Sequence, residues 1–399
     1  MKRIFPNQAE AIANALYAIL IDKKRASRIL DQTVEQHPKW GARDRNLFYD
    51  AVYSILRWKI KYSAIAGLDH EEFQPWSWIK TWCIINDVLV PDWDEMNCPP
   101  TATKENLASF KSKLEHVNFS FPDWLYQVGK EELGSQWENE MKASNTKAAV
   151  SLRVNRILTA PQKLASQLKE KHQIETFQNP DFPDTLYLPK GKKLNKNPFF
   201  RKGFFEIQDA NSQQIAPFCQ VKRKMNVIDL CAGAGGKTLH LAALMHNEGK
   251  IRAFDIEENK LKELNRRAKR AKVSCIETAL LTNQVLASHK EWANVVLIDA
   301  PCSGMGTLKR NPEIKWNLTP ERLEELKKIQ RQLLEQAASL IQPDGKIIYA
   351  TCSILTSENQ EQTAWFLAQY PEFKLEDEKQ ILAQDSHFDG FYMARLGRA

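Results

Sequence analysis

Apolar positions near the start of the chain recur at helical spacing. Ile12, Leu16, Ile19 and Leu20 fall at i, i+4, i+7 and i+8, and Phe48, Val52, Ile55 and Leu56 repeat the same interval. Both stripes predict amphipathic helices, and the stretch to about residue 117 reads as helical throughout. Lys23, Lys24, Arg25, Arg28, Arg43, Arg45 and Arg57 flank the stripes; they fit the solvated rim of a helical bundle, with a helical RNA-binding module as the sharper alternative. Pro99 and Pro100 mark a turn, and Phe121, Pro122 and Trp124 change the pattern. A second unit, 118–204, then mixes helix and strand signals. From residue 204 short β-rich runs at 226–230, 251–256, 273–276, 295–299 and 346–351 alternate with helical stretches, among them 260–271 and 320–341. Such alternation builds βαβ units and a mostly parallel, doubly wound α/β sheet.

The length of 399 residues leaves room for two or three domains. No run of about 18 apolar residues is present, so no membrane span is expected. The opening stretch is broken by Asn7, Gln8, Glu10 and Asn14 and has no cleavage signal, so it does not read as a signal peptide. Seven cysteines without a CxxC pair argue against a disulfide framework or a zinc site and favour a reducing cytoplasm. The net charge of +7 hints at an anionic partner. That charge is densest in LYLPKGKKLNKNPFFRK, residues 186–202, where Lys190, Lys192, Lys193, Lys196, Arg201 and Lys202 stand beside Phe199 and Phe200 with no acid among them. Cations beside aromatics suit single-stranded nucleic acid; a solvated loop fits equally well.

Two regions carry candidate chemistry. In VIDLCAGAGGKT a strand leads into Gly233, Gly235 and Gly236, a turn through which backbone can approach a ligand closely. It matches neither GxGxxG nor GxxxxGK[ST], which disfavours the standard pyrophosphate grips. Asp255 ends the next strand, where an acid can take two ribose hydroxyls. Together they suit a nucleoside cofactor such as S-adenosylmethionine better than a nicotinamide. Farther on, VVLIDAPCSGMGTLKRNPEIKW and IIYATCSILTSENQEQ each place a cysteine, Cys302 and Cys352, just past an apolar strand, with Asp299 beside the first. Ligands bind at that edge of an open α/β sheet. A thiolate adding to carbon-6 of cytosine makes carbon-5 nucleophilic enough to take a methyl group. A base must then remove the carbon-5 proton, and a carboxylate can hold the ring by its amine or N3. The spacing leaves open which cysteine attacks.

CAGAGGKT, DAPCSGMG with RNPEIKW, and ATCSILTSENQ resemble the signature segments of the Sun/Fmu (RsmB-like) family of RNA cytosine-5 methyltransferases. FEIQDANSQQIAPF (205–218) and DGFYMARL (389–396) are similar to the ends of that family's catalytic domain. SFPDWLYQVGKEELG and VSLRVNRI look like its small RNA-binding subdomain, and the N-terminus more loosely resembles a NusB-like domain. The resemblance implies an all-α NusB-like domain at 1–117, a small α+β RNA-binding subdomain at 118–204 and a Rossmann-like methyltransferase domain at 205–399. It implies Cys352 as nucleophile, Cys302 assisting proton removal and release, and Asp299 contacting both the cytosine and the methyl donor. Cys231, Ala232, Gly233, Ala234, Gly235, Gly236 and Lys237 would wrap S-adenosylmethionine, and Asp255 would take its ribose. The family's acid after the third strand has no clean match in CIETALLTN (275–283), so the adenine contact falls to Thr282.

Lys190, Lys192, Lys193, Arg201, Lys309 and Arg310 are the candidate RNA contacts, with Lys315 beside the last two; Arg266, Arg267, Lys269, Arg270 and Lys272 read mostly as a solvated helix face. The expected substrate is RNA, small-subunit ribosomal RNA first, with transfer RNA or large-subunit RNA open. The expected protein is a cytoplasmic monomer. A DNA cytosine-5 methyltransferase, a dehydrogenase and a non-catalytic RNA-binding assembly factor are the rivals; the second cysteine and the absence of a large recognition insertion weigh against the first.

Overall fold

The computed structural model of the protein describes residues 2–100, 104, 109–188, 194 and 196–398. The chain divides into two compact units: residues 1–146 with 308–320, and residues 147–307 with 321–399.

The first unit is helical apart from a two-residue parallel pair, β1 (Lys2–Arg3) with β2 (Val88–Leu89). Its main helices are Pro6–Leu20, Ala26–Gln36, Ala42–Ala66 and Pro75–Ile85. The first and third bury the predicted stripes, Ile12, Leu16 and Ile19 against Phe48, Val52, Ile55 and Leu56, together with Trp78 and Trp82. Pro6 starts the first helix, where its missing N–H costs nothing. Gly67 ends the third at φ 69°, a left-handed cap that suits glycine.

The third helix is kinked at Trp58 (φ −119°, ψ 19°). A regular helix would bond Ile60 N to Leu56 O and Lys61 N to Arg57 O. At the kink Ile60 N donates instead to Ser120 Oγ at 2.9 Å. The freed carbonyls take side-chain donors from 308–320: Trp316 Nε1 on Leu56 O at 2.6 Å and Lys315 Nζ on Arg57 O at 2.8 Å. Buried carbonyls need such partners.

The second unit holds two sheets. A three-stranded antiparallel sheet is ordered β4 (Thr185–Leu188), β3 (Val150–Val154), β5 (Phe205–Ile207). The helix Pro161–His172 belongs to its core through Leu164 and Leu168. The larger sheet consists of β6 (Asn226–Asp229), β7 (Lys250–Asp255), β8 (Ile276–Leu280), β9 (Ala293–Asp299), β10 (Ile341–Thr351), β11 (Phe373–Ile381) and β12 (Phe391–Arg398). Its order is β11-β12-β10-β9-β6-β7-β8. The strands β8, β7, β6, β9 and β10 run parallel, and β12 and β11 close one edge antiparallel. Strand order reverses at β6, so the crevice at its carboxyl end is the topological switch point. Helices Gly236–Leu244, Glu258–Ala271 and Pro320–Leu340 follow β6, β7 and the β9 loop.

One strand lies later than its sequence suggests: β8 starts at Ile276, where 273–276 was expected. The helix Glu258–Ala271 ends with Lys272 in the left-handed region (φ 60°), and Val273 N bonds back to Ala268 O at 3.0 Å. That cap uses Val273 to finish the helix. No described helix is long and apolar enough to cross a membrane.

Candidate active site

Four parallel strands bring their carboxyl ends to one edge, and each delivers a predicted residue. After β6 come Cys231 to Lys237, Asp255 ends β7, Asp299 ends β9 with Cys302 three residues on, and Cys352 follows β10.

The glycine turn is built to be open. Gly233 (φ 53°) and Gly235 (φ 83°) are left-handed, and nothing lies within 4 Å of where a Cβ on Gly233 would stand. A Cβ on Gly235 would meet Leu264 Cγ at 2.6 Å, so that glycine lets helix and turn pack. Asp255 accepts from Gly233 N at 2.8 Å and Glu257 N at 2.9 Å. Arg267 Nη1 donates to Ala234 O at 2.7 Å, and Arg153 caps Gly236 O. Asp229 is buried; Thr238 Oγ1 donates to its Oδ2 at 2.7 Å, while Oδ1 has no protein partner among the described residues. Burial raises its pKa to about 7, against the Thr238 hydrogen bond. An open turn flanked by carboxylates, without a phosphate loop, fits a nucleoside carrying a cationic centre.

The chemical end is tighter. Cys302 Sγ and Cys352 Sγ stand 3.4 Å apart. The Cys352 contact, then burial, holds the Cys302 thiol well above its usual pKa. Lys237 Nζ lies 2.6 Å from Asp299 Oδ2. Burial opposes the lysine charge, but Asp299 outweighs it and raises the Lys237 pKa.

Glu358, fully buried and not anticipated from the sequence, braces the Cys302 loop. Its Oε1 accepts from Ser303 N at 2.7 Å and from Gln330 Nε2 at 3.1 Å, and its Oε2 from Ser303 Oγ at 2.5 Å. Ser303 Oγ is 3.2 Å from Ser353 Oγ, so the same cluster ties the two cysteine loops together. Burial raises the Glu358 pKa, opposed by the Ser303, Ser353 and Gln330 hydrogen bonds. Asn359 completes the network through Thr351 Oγ1 at 2.6 Å and Ser353 O at 3.1 Å. The only sequence signal was an acid six residues past Cys352. Arg153 was likewise missed, because a strand arginine carries no motif.

The remaining predicted residues make other contacts. Thr282 follows β8, and its Oγ1 caps the helix Asn283–Ala287 by accepting from Val285 N at 3.2 Å. Lys309 and Lys315 are buried at 4% and 1% exposure in the helical unit, which corrects the expectation of a cationic flank facing RNA; Arg310 is half-buried. Lys315 donates to Arg57 O, Ser120 O and Asn145 Oδ1 at 2.8, 2.8 and 3.2 Å, so its N–H donors satisfy the fold, and burial pushes its pKa well down. Arg267 and Arg270 pair with Glu206 at 2.9 and 2.5 Å, where a solvated face had been expected. Arg201 is exposed. Lys190, Lys192 and Lys193 lie outside the described residues.

A family model described as 16S rRNA methyltransferase RsmB/F matches residues 218–397, and one for the ferredoxin-like domain of RsmF/B-like methyltransferases matches residues 121–195. Ribosomal RNA small subunit methyltransferase B of Klebsiella pneumoniae is 31% identical over 295 residues, 71% of this chain and 67% of that protein. The crystal structure of PH0851 is similar over 100% of both chains, with a TM-score of 0.82 and 25% identity. That of NSun6 from Pyrococcus horikoshii shares the fold over 70% of this chain and 98% of its own, with a TM-score of 0.64 and 20% identity.

Proposed function

The chain belongs to the RsmB/F family of S-adenosylmethionine-dependent RNA cytosine-5 methyltransferases, and from that premise we propose that it methylates carbon-5 of a cytosine in 16S ribosomal RNA, with Cys352 as nucleophile and Cys302 and Asp299 as its partners. The observation that carries the reading is the 3.4 Å thiol pair beside a carboxylate held by Lys237.

The target base must leave its stack or lie in a single strand. Asp299, held by Lys237, accepts from the exocyclic amine and orients the ring. The Cys352 thiolate adds to carbon-6, and the electron pair moves toward carbon-5. Cys231 to Lys237, Asp255 and Thr282 would hold S-adenosylmethionine, which when bound would supply the methyl group to carbon-5. Cys302, lying 3.4 Å from Cys352, gives its own thiol proton to solvent and takes the carbon-5 proton in its place; the carbon–sulfur bond then breaks as the double bond re-forms, and its electron pair returns to Cys352 as the thiolate. Two modest steps replace one difficult step.

The small-subunit substrate is supported by the named relative and by the family description. The division at 1–117, 118–204 and 205–399, and action as a cytoplasmic monomer, belong to the same reading. Exposed Arg201 and the neighbouring lysines would grip phosphates.

The test is to incubate the protein with labelled S-adenosylmethionine and protein-free 16S RNA, digest to nucleosides and identify the product by mass. 5-Methylcytidine, absent with Cys352→Ala, supports reaction and nucleophile together. Product on transfer RNA or large-subunit RNA alone overturns the substrate. No product on any RNA, with cofactor binding intact, overturns the catalytic reading.

A further inference from the structure

A cavity of about 260 Å³ opens within the second unit between the start of β4 and the helix Gly236–Leu244. Phe182, Pro217, Phe218 and Met393 give it apolar walls, and His240 and Asp184 are among its polar groups. None of these residues belongs to the site described above. The volume lies just under the range that holds drug-sized ligands, so it suits one ring system.

His240 is the informative residue. It is 3% exposed, and neither ring nitrogen makes a hydrogen bond among the described residues. Its Nε2 stands 3.6 Å from Asp184 Oδ2, too far for a hydrogen bond. Burial lowers its pKa to about 4, so at neutral pH the ring presents one donor and one acceptor. Buried polar atoms without partners are uncommon and expensive. An incoming N–H group lying between Asp184 and His240 would satisfy both.

The mouth has the surroundings of a base-stacking site. Phe182 is half-buried, with ring centroids 6.2 Å from Tyr187 and 6.1 Å from Phe388, and those two stack at 5.1 Å. Lys379 lines the rim, and Arg156 approaches Asp184 at 3.5 Å. Splayed RNA bases are read in this way, by stacking on aromatics and hydrogen bonds to an edge. His240 also stands three residues along its helix from Lys237, which holds Asp299.

We propose that this cavity binds one unpaired nucleobase of the substrate RNA, a base that carries an exocyclic amine, with the amine shared between Asp184 and His240 and the ring against Phe182. The inference rests on RNA as the substrate and not on the methyl-transfer chemistry.

The test uses labelled uridine decamers carrying one central adenosine or one central purine riboside, two purines that differ by the exocyclic amine alone. Binding is measured by anisotropy on the full chain saturated with S-adenosylmethionine. The adenosine decamer should bind about tenfold tighter, the scale set by leaving a buried polar group unpaired. Phe182→Ala and His240→Phe should each erase that preference while binding of the purine riboside decamer, cofactor binding and melting temperature hold. Phe182 is half-buried, so its variant reads the pocket even if the His240 variant folds poorly. Equal binding of the two decamers, or a preference that survives Phe182→Ala, overturns the proposal. A chain that shows the preference yet methylates no RNA keeps the pocket and loses the reaction assigned above.

Discussion

The segment from Val295 to Trp316 reads as one motif, yet its two halves do different work. The first half ends β9 and carries Asp299, Cys302 and Ser303 to the sheet edge, where each faces a partner needed for chemistry or for loop geometry. The second half, from Leu308, belongs to the helical unit. There Glu313 Oε1 accepts from Ala26 N at 3.1 Å, and Lys315 and Trp316 fill the gaps left by the Trp58 kink. Nearness along the chain to a cysteine proposed to be catalytic is therefore no sign that a cation touches substrate. A lysine that donates three hydrogen bonds to buried acceptors answers the fold's own requirement.

The largest effect should come from the first half and its facing loop. Cys352→Ala should lower methyl transfer by at least about 10³-fold while leaving the denaturation midpoint nearly unchanged. Cys302→Ala should still permit attack but slow release, so a protein–RNA adduct that survives denaturing electrophoresis should accumulate. If both variants methylate normally, the division of labour between the halves fails. The opposite signature is expected of Lys315→Met, which leaves Arg57 O and Ser120 O short of a donor. Unfolding by urea should show a loss of about 3–5 kcal/mol, with cofactor binding by the surviving folded fraction intact. A Lys315→Met protein of normal stability but weak RNA affinity would restore the phosphate role to that lysine.

Glu358→Gln should fall between these extremes. One acceptor facing Ser303 becomes a donor, so the Cys302 loop loosens rather than unfolds. We expect kcat to drop by roughly 10-fold to 100-fold with the KM for S-adenosylmethionine unchanged, the pattern of misplaced catalytic groups. Equal loss of kcat and cofactor affinity would make the residue merely structural.

What was legible followed from the kind of signal each residue carries. The parallel sheet, the glycine turn and both cysteines announce themselves, because apolar runs, glycine clusters and cysteines after strands each have few alternative explanations. The start of β8 was misplaced because Lys272 adopts a left-handed cap that no residue type enforces. Lys309 and Lys315 were misjudged because charge in sequence does not reveal burial, and their partners lie 170 or more positions away. Glu358 was missed for the mirror reason: an acid in a polar run reads as solvated, and only the fold shows it enclosed.

A smaller effect concerns pH. His240, with its pKa lowered to about 4 by burial, resists a proton that the unfolded chain accepts near 6.5. Its contribution is complete above pH 6.5 and is lost as pH falls toward 4, by up to about 1.4 kcal/mol per pH unit. Asp229, raised to about 7, works oppositely, costing stability as pH rises from 3.8 toward 7. The two overlap, so the wild-type curve alone is uninformative. The difference between wild type and His240→Phe should favour the variant increasingly below pH 6.5; a flat difference would place a charge-stabilising partner on His240.

The smallest effect separates a cation that serves RNA from one that serves the fold. Arg201 is exposed at the end of the short helix Pro198–Arg201, whose first turn is set by Asn197 Oδ1 accepting from Phe199 N at 2.9 Å. A phosphate contact there releases about one counterion, so Arg201→Ala should weaken RNA binding by only a few-fold. It should lower the slope of log affinity against log salt by about one, uniformly across RNA sequences. Stability should shift by less than about 0.5 kcal/mol, as at other exposed positions. Lys315→Met, refolded and measured beside it, should leave the salt slope alone, because an amine buried on the fold's own acceptors meets no phosphate and releases no counterion on binding. If the two variants lower the slope equally, both cations meet RNA and the division between the halves of the motif collapses. If only Arg201→Ala does, the basic side chains of this chain divide by burial and not by type, into those spent on acceptors within the fold, Lys315 and Arg267 among them, and those left for phosphates outside it.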